Sequence, residues 1–447
     1  WVQAATRAGA EVRWVDVDPA DGELTGPSCR VWDADAMTAG GDRDHAGDGV
    51  GPGGDCDPFG LDLDLDVVTS ADLVALHRGV LAQPTGATGV VVAKAWGSEL
   101  VDPEGTRYLD WLSGPGDARF GHRHPRLVAA ARRQLDRSGL LGPDVIDEQT
   151  GRFARDLAAL VGHRRVVVLE SGAAARSLAV AVARAWVAAS RGIAPASVVV
   201  ASVVGDRMPP STPAVLVVEA VDPEAVRVSD GRALRELAAR VRERGGVVVA
   251  DERLTGLGRC GFTSLVEELG VRADLAIHGE ALGGGLVRVG AISGRADILG
   301  LAADIAPTGL LRDPLASAVG LETVAMLGTG EYQRRATTLA ALLRSLLHPL
   351  VGEGLTAVRV AGLWAGLDID PMWAEATDIA ARLKCYGVLV SPRVGSCLVV
   401  APPLVTSEDG IRQGVEALQT ALRDGRSSVL CHGRTAGRPP VERLTSD

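Results

Sequence analysis

From about residue 70 onward, the apolar positions of the chain fall into two rhythms. Short unbroken apolar runs, "RVVVL", "AVLVVEAV", "VVVADERLTG" and "ADLAIHGEALGGG", predict strands buried on both faces. Between them, "SGAAARSLAVAVARAWVAAS" and "GRALRELAARVRERGG" carry helical spacing, the first entered through a Ser-Gly turn and the second closed by glycine. Upstream, "HPRLVAAARRQLDR" reads as an amphipathic helix with proline at its start. Before it, "GVVVAKAWGSELVDPEGTRYLDW" reads as two short strands joined by a turn at Pro103–Gly105. After residue 314 come a long helix, a helix–strand unit around "VRVAGLWAGLDID", and a hairpin in "GVLVSPRVGSCLVVAPPL". Apolar strands alternating with helices predict an α/β fold: a three-layer large domain with a mostly parallel sheet, plus a smaller α+β domain.

The first 69 residues break this rhythm. "WVQAATRAGAEVRWVDVDP" reads as a helix end, a glycine turn, a strand Glu11–Val17 and a proline stop. Between Asp33 and Asp66 there are ten Asp and one Arg, so that stretch repels itself, buries little and is expected to be a disordered acidic linker. "LDLDLD" within it reads as a solvated face, with metal binding as the alternative. The expected organisation is 1–24, an N-terminal remnant; 25–69, the linker; 70–115, the first part of the small domain; 116–313, the large domain; 314–424, the rest of the small domain; and 425–447, a disordered tail. The start at Trp1 is compatible with a fragment, a processed product or a misjoined frame.

Composition narrows the classes. Of 447 residues, 47% are hydrophobic but only 3% aromatic, so Leu, Val and Ala must fill a large core. The net charge of -10 and the dispersed arginines exclude a nucleic-acid surface. No apolar run approaches the ~20 residues that cross a bilayer, and no secretory signal stands out. The six cysteines lack metal-site spacing and are too sparse for a disulfide framework, which points to the cytoplasm. Lys94 and Lys384 are the only lysines, so any reaction that needs an amine has two candidates.

Ligands of open α/β sheets gather beyond the carboxyl ends of the strands. Three features fall there. Ser171-Gly172-Ala173 marks a strand-to-helix turn whose backbone N–H groups suit an anion; a plain Ser cap is the alternative. Asp251-Glu252 ends a very apolar strand and suits a buried positive charge; a salt bridge or cap is the alternative. The third is "AIHGEALGGG", from Ala276 to Gly285. His278 sits two residues before Glu280 and shares its face if the strand continues, with a buried, satisfied imidazole as the alternative reading. His122 and His124 in "GHRHP" are expected as turn and capping groups, and no metal site is expected.

Together these pieces resemble the class III pyridoxal-phosphate aminotransferases of fold type I. The resemblance runs from about Val80 to Leu422 through "GSELVDPEGTRYLDWLSG", "FGHRHPRLVAAARRQL", "SGAAARSLAVAVAR", "VVVADERLTGLGRCG", "ADLAIHGEALGGG", "DPLASAVGLETV" and "APPL", in family order. "LSGPGDARFGHRHPRL" looks most like the diaminobutyrate–2-oxoglutarate branch. The resemblance implies a transaminase of an amino acid or diamine, taking a small-molecule amino donor and a keto acid, and working as a homodimer with pyridoxal 5'-phosphate. It also implies that Ser171, Gly172 and Ala173 cradle the cofactor phosphate and that Asp251 pairs with its pyridine nitrogen. Thr308, one residue out of register, would reach the partner's phosphate, and Asp313 replaces the family's Asn. Residues 1–24 resemble a piece of a cysteine-desulfurase-type protein, with a scrambled gene start as the alternative.

The pattern breaks at the chemistry. Glu280 stands where the family places its Schiff-base lysine, and a carboxylate cannot form an imine although it can move a proton. Arg253 replaces a small apolar residue that would pack under the cofactor ring. The chain between Ser171 and Glu219 is short and lacks the family's aromatic segment. Val399 stands where many relatives carry a carboxylate-binding arginine. The expectation is therefore a degenerate paralogue, a pseudoenzyme, in which ordinary transamination is impaired and the cofactor is not covalently held or is absent. One alternative is a lysine-independent enzyme using pyridoxamine phosphate, with Glu280 or His278 as base. Others are a non-catalytic structural partner, or an altered copy of a working transaminase.

Overall fold

The structure, a computed structural model, describes residues 69–81, 88–112, 118–142, 145–306, 313–393 and 395–425. The expected strand Glu11–Val17, the acidic linker, Thr308 and the tail beyond residue 425 lie outside the described residues. The first described element is helix α1 (Ser70–Val80), opened by a capping box between Thr69 and Asp72. An antiparallel meander follows: β1 (Lys94–Trp96), β2 (Glu99–Val101) and β3 (Arg107–Asp110). The sequence pattern implies two strands here. The third arises because Gly97, at φ 54°, turns the first apolar run back on itself. The turn at Pro103–Gly105 is where expected, with Asp102 Oδ1 accepting from the N–H of Thr106 at 2.7 Å.

Helix α2 (Pro125–Leu135) has proline in its first turn, and α3 (Glu148–Leu160) is capped by Asp147, whose side chain accepts from the N–H groups of Gln149 and Thr150. The main sheet then forms. Its elements in chain order are β4 (Arg165–Leu169), α4 (Gly172–Arg191), β5 (Val200–Val204), β6 (Val215–Glu219), a small hairpin of β7 (Val221–Asp222) and β8 (Arg227–Val228), α5 (Gly231–Glu243), β9 (Val247–Asp251), β10 (Leu275–His278) and β11 (Gly290–Gly294). The strand order is β4-β11-β10-β9-β6-β5. β11 runs antiparallel to both neighbours and the other pairings are parallel. β11 does not stand out in the sequence, because "GAISG" mixes small and polar residues with the apolar ones.

Alternation places the two faces of this sheet in separate cores. Val217, Val249 and Ile277 pack with Leu178 and Val182 of α4. Leu216, Val218 and Val248 pack with Leu234, Leu237 and Val241 of α5. Helices thus cover both faces, the three-layer arrangement the apolar runs imply.

The C-terminal part contains α6 (Pro314–Gly328), α7 (Glu331–Leu347), β12 (Leu355–Val360), β13 (Ala365–Ile369), α8 (Ala376–Cys385), β14 (Val388–Leu389), β15 (Ser391–Pro392), β16 (Cys397–Val400) and α9 (Glu408–Gly425). Its antiparallel sheet has the order β12-β13-β16-β15. β14 instead pairs in parallel with β3, joining the N-terminal meander to this part of the chain. Among the described residues no helix is long and apolar enough to cross a membrane.

Candidate active site

The carboxyl ends of β4, β6, β9 and β10 converge on one cleft. At the end of β4, Ser171 is extended and its Oγ accepts from the N–H of Ala174 at 3.1 Å, which caps α4. Gly172 and the exposed Ala173 form the first turn. β11 lies directly against this turn: a Cβ on Gly290 would sit 2.2 Å from the carbonyl oxygen of Ser171, so only glycine allows the approach.

Asp251, at the end of β9, is 1% exposed. Both its oxygens are held by guanidinium groups. Arg176 Nε donates to Oδ2 at 2.9 Å; Arg253 Nε donates to Oδ1 at 2.8 Å and Arg253 Nη2 to Oδ2 at 2.9 Å. Burial works against the charge on Arg253, but its hydrogen bond to Asp251, then the charges of Asp251, Glu219 and Glu280, hold its proton above the ordinary arginine range. Glu219, at the end of β6, has its carboxyl pushed up by burial and then by the charge of Asp251, while Arg253 and Arg176 pull it back.

Glu280 opens a 3-10 turn, Glu280–Gly283, just past β10. Its Oε1 accepts from the N–H of Gly172 at 2.9 Å. Its Oε2 lies 2.8 Å from where a Cβ on Gly172 would be, and Arg253 Cδ lies 3.0 Å from the same point. The stem of Arg253 also rests on Gly279, whose added Cβ would meet Arg253 Cβ at 3.0 Å. The space beside both glycines is therefore filled by the chain itself.

His278 does not join this group. β10 ends at His278 and Glu280 begins a new turn, so the strand geometry that would give them a common face stops before Glu280. His278 Nε2 instead bonds Ser293 Oγ at 2.8 Å, and the same hydroxyl meets His163 Nδ1 at 2.7 Å. The two imidazoles line a separate cavity of about 320 Å³. Burial, then the neighbouring His163, pulls His278 down to about 3, so its ring is neutral near pH 7. His122 bonds Asp110 at 2.7 Å and His124 bonds Tyr332 at 2.9 Å, and no metal-binding cluster forms among the described residues.

Three residues around the cleft escape the sequence reading. Arg176 is far in sequence from the strands that end in acids, and a cation one turn into "SGAAARS" is the only signal for it. Arg119, fully buried, donates to the carbonyls of Arg253, Leu254 and Gly256 and so fixes the loop after Asp251. Burial brings it down to about 9. Glu219 is marked only as the acid closing "VLVVE". Glu252, by contrast, turns away from the cleft. It is fully buried and accepts from Thr255 Oγ1, Ser264 Oγ and the N–H of Val266, and burial pushes its carboxyl up. Asp313 caps α6, accepting from the N–H groups of Leu315 and Ala316, a cap that Asn and Asp supply equally well. Val399 is buried in an apolar core with Trp364 and Ala361.

The sequence model of the class-III aminotransferases matches residues 80–204 and 194–422. The chain belongs to that family. The match falls in two pieces that overlap at 194–204, a stretch after α4 that contains β5 and lies inside the part of the chain read as short. Ornithine aminotransferase of Bacillus subtilis is 27% identical over 377 residues, covering 75% of this chain and 93% of the relative. Among solved structures, ornithine aminotransferase from Toxoplasma gondii superposes with a TM-score of 0.73 at 26% identity, over 80% of this chain and 95% of that one. Acetylornithine aminotransferase from Elizabethkingia anophelis gives a TM-score of 0.73 at 26% identity, over 80% of this chain and 100% of that one. None of these three is a diaminobutyrate enzyme.

The family is one of pyridoxal-phosphate enzymes, and the Toxoplasma structure shows partial occupancy of that cofactor. The residues in this cleft do not fit the group. Position 280 carries a carboxylate and not an amine. The carboxylate of Asp251 already has its cations, and the N–H of Gly172 already has an anion.

Proposed function

We propose that this chain is a class III aminotransferase scaffold of diamino-acid lineage in which ordinary amino transfer is impaired. The observation that carries this reading is the carboxylate of Glu280 seated on the N–H of Gly172 at 2.9 Å, at the position that the sequence resemblance assigns to the family's lysine. Neither lysine offers a substitute. Lys94 lies in the N-terminal meander, and Lys384 Nζ donates to the carbonyl of Thr88 at 2.7 Å. The substrate type of the lineage is an amino acid with a second amine. The ornithine-type relatives support that class, and the wording of "LSGPGDARFGHRHPRL" extends it to diaminobutyrate. The same proposal includes a cytoplasmic homodimer, for which the exposed apolar residues Leu140 and Ile146 leave a surface to cover.

The test uses the full chain mixed with pyridoxal phosphate. The expected spectrum has no imine band, borohydride traps no adduct, and ornithine with 2-oxoglutarate gives no product. Steady formation of an amino acid from a keto acid by the unaltered chain would overturn the proposal.

A further inference from the structure

We propose that Glu280 and Arg253 form an internal plug, with the Glu280 carboxylate as the built-in anion of the α4 N terminus and the Arg253 guanidinium as the built-in cation of Asp251, so that the cleft excludes phosphate monoesters while Glu280 is present. It rests on the reading that position 280 no longer tethers a cofactor, but it concerns anion binding and not amino transfer.

Three observations carry it. First, two of the donors at the helix N terminus are already engaged. A helix presents about half a positive charge and unpaired N–H groups at its start, which attract an anion. Here the N–H of Gly172 is spent on Glu280 Oε1 at 2.9 Å and that of Ala174 on Ser171 Oγ at 3.1 Å. A phosphate arriving at the same turn would find those donors engaged and a carboxylate beside it. Second, Asp251 is already answered. Arg176 and Arg253 hold both its oxygens, so no third cation is needed to keep it charged in a buried site. Third, the two halves of the plug are packed together. Glu280 Oε2 and Arg253 Cδ both crowd the point where Gly172 would carry a Cβ, and Arg253 lies against Gly279. The space beside Gly172 and Gly279 is lined by the side chains of Glu280 and Arg253. The charge of Glu280 also supports the protonated state of Arg253.

The experiment compares the full chain with Glu280→Ala and Glu280→Gln. Calorimetry and thermal denaturation are run against inorganic phosphate and pyridoxal phosphate at fixed ionic strength, with chloride as the control. The unaltered chain should show no saturable phosphate binding and no phosphate-dependent rise in its unfolding midpoint. Glu280→Ala frees the N–H of Gly172 and removes the repelling charge, and should bind phosphate about tenfold or more tightly than the unaltered chain. Glu280→Gln keeps an acceptor for Gly172 but loses the charge, and should fall between the two. If Glu280→Ala does not fold, the Gln variant carries the comparison. Equal phosphate binding by the unaltered chain and the variants, or no binding by folded variants, would overturn the plug. Transamination by the unaltered chain would instead overturn the proposed function, so the two failures are distinguishable.

Discussion

Arg253 reaches back over two residues to grip Asp251, its Nε 2.8 Å from Oδ1 and its Nη2 2.9 Å from Oδ2. The pair places a planar cation against a carboxylate buried at the end of β9. With Arg176 on the other side and Glu219 and Glu280 nearby, the cleft holds a near-balanced set of charges without a ligand.

That balance predicts strong coupling. Arg253→Leu leaves the buried Asp251 with Arg176 alone and should cost about 1–3 kcal/mol of stability. Asp251→Ala leaves two guanidinium groups facing each other. The double variant should lose less than the sum of the singles, with a coupling of about 1–3 kcal/mol. Urea denaturation of the four proteins measures it, and additive losses would refute the pairing.

Glu280→Lys alone should not restore the cofactor. The new amine gives up the hydrogen bond from Gly172 and enters a cleft in which Arg253 still occupies Asp251. Glu280→Lys combined with Arg253→Leu should develop an imine absorbance with pyridoxal phosphate where the single change does not. Identical spectra from the two variants would remove Arg253 from the explanation.

Gly290→Ala tests the seat of the strand-to-helix turn. Its Cβ would fall 2.2 Å from Ser171 O and 2.6 Å from the nitrogen of Gly172, and backbone must move to admit it. The expected loss is about 2–4 kcal/mol, read as a lower denaturation midpoint. A midpoint unchanged from the parent would show that β11 yields more easily than its contacts imply.

Acid should weaken the fold through His278. The folded state keeps this imidazole neutral down to about 3, whereas the unfolded chain protonates it near the ordinary 6.5. The unfolded state therefore binds more protons between those values. The stabilising effect is complete above about pH 6.5 and is lost as pH falls toward 3, at up to about 1.4 kcal/mol per pH unit. Burial lowers His163 in the same direction. His278→Gln should flatten the decline between pH 6 and 4 in denaturation curves, and parallel slopes for variant and parent would rule His278 out as its source.

The sequence by itself determined the layered α/β fold, because short Val-rich runs such as "VLVV" and "VVVA", alternating with helical stretches, read as strands covered on both faces. It also located the Ser171 turn, Asp251 and Glu280, since each closes or follows such a run. It left β11 hidden, because the small and polar residues of "GAISG" carry little apolar signal. Only the tertiary structure decided what the side chains do. Arg176 lies 75 positions from Asp251, and Gly172 lies 108 from Glu280, yet each pair is in hydrogen-bond contact. His278 and Glu280 are two residues apart and face different surroundings, because the chain turns between them. Periodicity records which face of an element is buried, but it carries no information on which charges the fold brings together. That is settled by the order of strands in the sheet and the direction of the turns that leave it.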